Sequence, residues 1–325
     1  MKAKKILCLV LVVVMALGTL SLTSCGRAKY TVGICQLVQH VALDAATKGF
    51  KDALTAEFGE DVAFDEQNAA GSNDTAATIV GTFVDKKVDL IMANATGALQ
   101  AAANATTEIP ILGTSITEYG VALEIDNFNG TVGGNISGTS DLAPLDQQAQ
   151  MIIDLVPNAK KVAMLYCSAE PNSKYQVEEV TKYLNEKGIE CINKSFSDAN
   201  DVQMIAGQAA DAADAIYIPT DNTAAANAEA IWGAIADKNT PVIAGESGIC
   251  SGTGIATLAI DYYDLGYKTG EMAVQILKNE VNVSEMPIAY TPNDKLKKQY
   301  NPEICEALGF DKADLEAKGF VAIEK

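Results

Sequence analysis

The second half of this chain repeats the first, and that duplication limits the fold more than any other feature. Val162 follows Val32 by 130 positions, Gly188 follows Gly59 by 129, and Pro241 follows Pro110 by 131. Ile109-Pro110-Ile111-Leu112-Gly113-Thr114-Ser115 aligns with Thr240-Pro241-Val242-Ile243-Ala244-Gly245-Glu246-Ser247. Asn94-Ala95-Thr96 and Thr220-Asp221-Asn222-Thr223 each open an Ala-rich stretch. A solenoid repeats every ~20–50 residues, so this period signals two duplicated domains of about 100 residues or more each.

Within each copy, short apolar runs alternate with helical patterns, as in parallel α/β sheets covered by helices. The spacing predicts strands at Thr31–Leu37, Val62–Asp65, Leu90–Ala93, Pro110–Gly113, Val162–Tyr166, Glu190–Ser195, Ala215–Ile218 and Val242–Gly245. Leu43, Phe50, Ala53, Leu54 and Phe58 recur at helical spacing, and Ser72 is the expected N-cap before Ile79, Phe83 and Val84. A late helix from Tyr262 to Lys278 is expected to cross back to the first copy, with hinges near Asp141 and Asp261.

The N-terminus reads as an export signal: Lys2, Lys4 and Lys5 precede the apolar run Ile6–Leu17, which is followed by small residues up to Cys25. The run is shorter than the ~20 residues a spanning helix needs. Residues 1–24 carry three lysines and no acid, so their removal shifts the formal charge from −18 to −21. Such a surface repels nucleic acid.

Beyond Cys8 and Cys25, the cysteines Cys35, Cys167, Cys191, Cys250 and Cys305 form no C-x-x-C, and His40 is the sole histidine. Zinc and dithiol chemistry therefore lack ligands. No G-x-G-x-x-G, P-loop or G-x-S-x-G is present, which leaves nucleotide cofactors and a serine nucleophile unsupported. No cofactor or metal is expected.

Parallel sheets bind ligands beyond the carboxyl ends of their strands. In the first copy those ends carry Gln36, His40, Asn94-Ala95-Thr96 and Thr114-Ser115; in the second, Ser168, Asn172-Ser173, Thr220-Asp221-Asn222 and Glu246-Ser247. Any one of these also serves as an ordinary helix cap. Their recurrence at equivalent positions favours a shared cleft, where hydroxyls and N–H groups would hold a carboxylate and Asp221 or Glu246 an ammonium, as suits an amino acid, although Asn, Asp and Gln would also suit a sugar.

Several ordered motifs carry a family resemblance. They are Gln36-Leu37-Val38-Gln39-His40 with Leu43-Asp44-Ala45-Ala46, Asn135–Asp141, Ala215–Thr223 and Ile260–Gly266. Over Tyr30 to Phe310 the chain resembles the tryptophan/tyrosine-binding group of ABC transporter substrate-binding proteins, which have a type I periplasmic-binding-protein fold. Leu22-Thr23-Ser24-Cys25 resembles a lipobox, implying lipidation at Cys25.

The family resemblance implies two Rossmann-like lobes joined by a multi-crossover hinge. It places ligand contacts at Gln36, His40, Ala95, Thr96, Thr114, Ser115, Ser140, Asp141, Asn172, Ser173, Thr220, Asp221, Asn222 and Glu246. Val41, Thr117-Glu118-Tyr119 and Glu246-Ser247 depart from the family's pattern at the cleft border.

The expected organisation is a signal at 1–24, a first lobe of 25–141 plus about 262–290, a second lobe of 142–261, and a C-terminal extension at 291–325. The expected function is capture of an amino acid, aromatic by resemblance, by a non-enzymatic lipoprotein. It would sit on the outer face of the cell membrane and serve ABC permease subunits. A sensor lipoprotein and a secreted α/β enzyme are the alternatives.

Overall fold

A computed structural model describes residues 28–323. The signal segment 1–24 and Cys25 lie outside the described residues.

The first lobe runs β1 (Tyr30–Gln36), α1 (Val41–Phe58), β2 (Val62–Asn68), α2 (Asn73–Lys86), β3 (Leu90–Asn94), α3 (Thr96–Ala105), β4 (Ile111–Ile116), α4 (Tyr119–Ala122) and β5 (Ile136–Ser140). The chain then builds the second lobe with α5 (Leu145–Leu155), β6 (Lys161–Cys167), α6 (Pro171–Glu186), β7 (Glu190–Phe196), α7 (Val202–Ala212), β8 (Ala215–Ile218), α8 (Asn222–Ala226), α9 (Ala228–Ile235), β9 (Val242–Ala244), α10 (Ser247–Gly252) and β10 (Ala256–Ala259). It returns to the first lobe for α11 (Tyr262–Leu277) and β11 (Ala289–Tyr290). It ends in the second with β12 (Lys297–Tyr300), α12 (Pro302–Ala307), α13 (Lys312–Ala317) and β13 (Val321–Ala322).

The sheet orders are β11-β5-β4-β3-β1-β2 and β13-β12-β10-β9-β8-β6-β7. Apart from the antiparallel β10/β12 pair, the named strands pair in parallel. In each lobe the strand order reverses direction beside the first strand, which opens a crevice at the carboxyl ends.

Register shows that the duplication conserves topology rather than spacing. Val32 pairs with Leu90 as Val162 pairs with Ala215, so the copies stand 125 positions apart at β3 and β8. A longer connection restores 131 by β4 and β9, where Ile111 and Val242 are equivalent.

Helices cover both faces of each sheet. In the first lobe Phe83, Ile91 and Leu99 pack on one side, and Ile34, Phe50, Leu90 and Met272 on the other. Helix α11 returns as expected and lies against α1 so closely that a Cβ on Gly266 would overlap the Ala46 carbonyl, and one on Gly49 the Tyr263 carbonyl. Only glycine permits that approach.

Three departures have clear causes. β2 extends through Glu66, Gln67 and Asn68 because it is an edge strand, where polar side chains stay solvated. β5 and β10 escape prediction because Ile136-Ser137-Gly138-Thr139-Ser140 and Ala256-Thr257-Leu258-Ala259 lack a long apolar run. Against the expected extension at 291–325, the described part, 291–323, belongs to the lobes: 291–296 cross between them, and β12 pairs with β10. Tyr300, Ile304, Cys305, Leu315 and Phe320 are then buried in the second lobe's core. The cause is that β12 is written with polar residues, exposed Lys297 and Lys298 and half-buried Gln299, and draws its apolar partners from α12 and α13.

Candidate functional site

The carboxyl ends of the two sheets face each other. Between them His40, Leu43, Ser115, Thr117 and Asp141 meet Asn172, Thr220, Asp221, Asn222, Ala225, Glu246 and Tyr262 around a cavity with about 10 Å³ of room, the space of one water. A wider chamber of about 310 Å³ opens outward, sharing Asn172 and Asn222 and lined also by Leu37, Thr96, Gln100, Glu170, Asp198 and Asn227.

The lobes touch across this gap. His40 Nε2 lies 3.4 Å from Asn222 Oδ1, Thr117 and Thr220 hydroxyls lie 3.3 Å apart, and Gln176 Nε2 is 3.4 Å from Thr117 Oγ1.

Buried polar atoms normally find partners, yet His40 Nδ1, Ser115 Oγ, Asp141 Oδ1 and Asn172 Oδ1 have none, and all four residues line the inner cavity. The Asn172 orientation is forced, because its Nδ2 faces the Thr220 carbonyl at 2.9 Å, an acceptor only. Ser115 is held at φ 57 and Ala95 at φ 84, backbone conformations that non-glycine residues adopt at a cost.

The acids of the cleft divide by the bonds they already make. Glu246 accepts the Gly248 and Ile249 amides and so caps α10. Asp221 accepts the Cys167 amide at 2.6 Å and the Ala224 amide at 2.8 Å. Asp141 accepts only from Tyr262 Oη at its Oδ2, at 2.8 Å.

Burial pushes the Asp141 carboxyl up, against the hydrogen bond from Tyr262. Burial, then the neighbouring Glu170 charge, pushes Asp221 up to about 8. Burial raises Glu246 too, opposed by His40 and the two amides. His40 is the one basic side chain on the cavity wall, and the chain's single arginine, Arg27, lies outside the described residues.

The other predicted residues face elsewhere. Gln36 is locked within the first lobe, donating to the Val38 carbonyl and to Asp44 and accepting from Thr47. Thr114 bonds Thr139 at 3.2 Å. Ser140 donates to the Thr117 carbonyl and accepts the Leu142 amide, bracing the first crossover. Ser173 lies 3.3 Å from Asn172 Nδ2, Ala95 is the N-cap of α3, and Thr96 lines the outer chamber only.

Sequence reasoning missed Thr117, Tyr262, Gln176 and Glu170. Tyr262 stands inside the Ile260–Gly266 motif, and Glu170 precedes Pro171 at the start of α6, the signals that pointed to them. Among the described residues no group of His, Cys, Asp and Glu is arranged to hold a metal, and Cys35, Cys167, Cys191, Cys250 and Cys305 are free thiols.

The sequence model of the ABC transporter substrate binding protein family matches residues 31–310. A tyrosine-binding protein of Clostridioides difficile (strain R20291) is 34% identical over 333 aligned positions, covering 96% of this chain and 94% of that protein. Among solved structures, an ABC domain in complex with L-Trp from Streptococcus pneumonia superposes with a TM-score of 0.84 at 30% identity, over 90% of this chain and 99% of that one.

The ligand-free, open structure of a Clostridium difficile substrate-binding protein with adhesive properties superposes at 0.67, despite 37% identity over 91% of this chain and 100% of that one. The better fit to the less similar sequence is what closed lobes produce. Fold, facing strand ends and family match agree: the chain belongs to the ABC transporter substrate-binding protein family.

Proposed function

We propose that this protein captures an aromatic amino acid between its lobes and presents it to ABC permease subunits, returning it chemically unchanged. The observation that carries this reading is the cluster of unpartnered polar atoms, His40 Nδ1, Ser115 Oγ, Asp141 Oδ1 and Asn172 Oδ1, around one interlobe cavity. An ammonium offers three donors to such acceptors. Asp141 is better placed to neutralise it than Asp221 or Glu246, whose oxygens already accept backbone amides.

Among the described residues the carboxylate has no arginine to meet. It would lie against helix starts that lack a side-chain cap, at α1 behind His40 and at α6 behind Glu170, where free N–H groups and the positive dipole end favour anions. The aromatic side chain would extend toward the outer chamber. Entry requires the lobes to separate about the crossovers, and the ligand then biases them toward closure by binding that state better.

Lipidation at Cys25 on the extracytoplasmic face completes the reading, since acyl chains hold a carrier near its permease. Calorimetry of the mature protein with L-tryptophan, L-tyrosine and the remaining amino acids is the test. Binding of an aromatic amino acid, recovered intact, supports the reading; no binding by any amino acid rejects it. Conversion of Cys25 to Ala is expected to release the protein from membranes.

A further inference from the structure

The Glu170 carboxylate is a hub that the ligand reading leaves unused. It is buried and gathers the Asn222 amide at 2.9 Å, Asn222 Nδ2 at 2.8 Å, the Thr223 amide at 2.9 Å and Thr223 Oγ1 at 2.8 Å. Asn172 Nδ2 reaches it at 3.4 Å. Because a carboxylate only accepts, the Asn222 atom facing Glu170 must be the NH₂ group. The Asn222 carbonyl is thereby turned across the cleft, 3.4 Å from His40 Nε2. A carbonyl also only accepts, so Nε2 must carry the proton, and in the neutral ring Nδ1 is then the lone-pair nitrogen. That Nδ1 is buried, unpartnered and on the cavity wall.

We propose that Glu170 is a positioning residue for ligand selection: acting through Asn222, it fixes the tautomer of His40 so that the closed cleft presents an acceptor, Nδ1, to a ligand amine. The relay assembles only when the lobes meet, since His40 belongs to the first lobe and Glu170 and Asn222 to the second. Closure therefore completes an acceptor set of His40 Nδ1, Asp141 Oδ1 and Asn172 Oδ1. A ligand lacking the amine leaves these acceptors buried and unpaired, which costs affinity.

The inference rests on the proposed ligand class, but its first test does not. His40 is the only histidine, so a long-range ¹H–¹⁵N spectrum of the imidazole reports this ring alone. The closed state is held without ligand by the pair Thr117→Cys and Thr220→Cys, whose replaced hydroxyls lie 3.3 Å apart. A second sample is held closed by saturating L-tryptophan. Near pH 8 the Nε2–H form is expected with Glu170 present, and a mixture or the Nδ1–H form in Glu170→Ala and in Asn222→Ala. Should Glu170→Ala not fold, Glu170→Gln supplies the same readout.

An Nδ1–H ring in the parent, or an unchanged ring in both variants, overturns the proposal. A change in Asn222→Ala alone removes Glu170 from it. The second test compares L-tryptophan with indole-3-propionate, its des-amino counterpart. Preference for the amine is expected to fall about tenfold in Glu170→Ala, the loss typical of one hydrogen bond to a charged group. If the parent binds neither compound, the ligand class fails while the tautomer result still decides the role of Glu170.

Discussion

Tyr262 Oη donates to Asp141 Oδ2 at 2.8 Å, which ties together two of the strands of chain that cross between the lobes, while Asp141 Oδ1 faces the cavity without a partner. One carboxylate thus belongs both to the crossovers and to the cavity wall. Asp141→Asn keeps the shape and removes the charge. We expect it to weaken amino acid binding by about 1.5–3 kcal/mol, the range for hydrogen bonds to charged groups, measured by calorimetry. Its melting temperature should hold or rise, because an unpaired buried charge has been removed. Tyr262→Phe should cost less affinity, since it removes no charge.

Stability should fall as pH rises from about 4, the ordinary carboxylate value, to about 8. Asp141, Asp221 and Glu246 are all raised by burial. Between its unfolded value and its raised folded value, each group binds more protons folded than unfolded, so the stability it lends is present on the acid side and lost as pH passes the folded value, about 8 for Asp221. Thermal melts across that range check the sign. An ammonium beside Asp141 favours its ionised form, so capture of an amino acid at pH values where this raised carboxyl still holds its proton should release protons, seen as a dependence of the calorimetric heat on buffer ionisation enthalpy.

Ala95→Gly should stabilise the protein. Ala95 sits at φ 84 and ψ 159, a region nearly confined to glycine, and relief of that strain is expected to be worth about 1 kcal/mol. Chemical denaturation gives the value.

Gly266→Ala should do the opposite. Its Cβ would meet the Ala46 backbone, which cannot yield as a side chain can, and overpacking of this kind costs about 1–3 kcal/mol or more. The loss should appear as early melting of the first lobe, although residue 266 lies 125 positions beyond Asp141.

A chain ending at Tyr290 should lose the second lobe's cooperative unfolding. It lacks β12 and the buried Tyr300, Ile304, Leu315 and Phe320, each worth about 1.5–3 kcal/mol of burial. Limited proteolysis should then cut within residues 142–261 faster than in the full chain.

Sequence by itself determined the α/β class, the duplication, most of the inner strands of both sheets and the return of α11, because apolar periodicity and turn residues are local and survive without coordinates. The tertiary structure decided which polar strand ends face the cleft. Gln36, Thr114 and Ser140 look no different in sequence from His40, Ser115 and Asp141, yet the first three spend their hydrogen bonds inside the first lobe, and each of the latter keeps an atom unpaired beside the cavity. The polar strand β12 and the Glu170–Asn222–His40 relay were likewise out of reach. Hydrogen-bond satisfaction depends on partners tens to hundreds of residues away, and only the packed chain reveals which groups have found one.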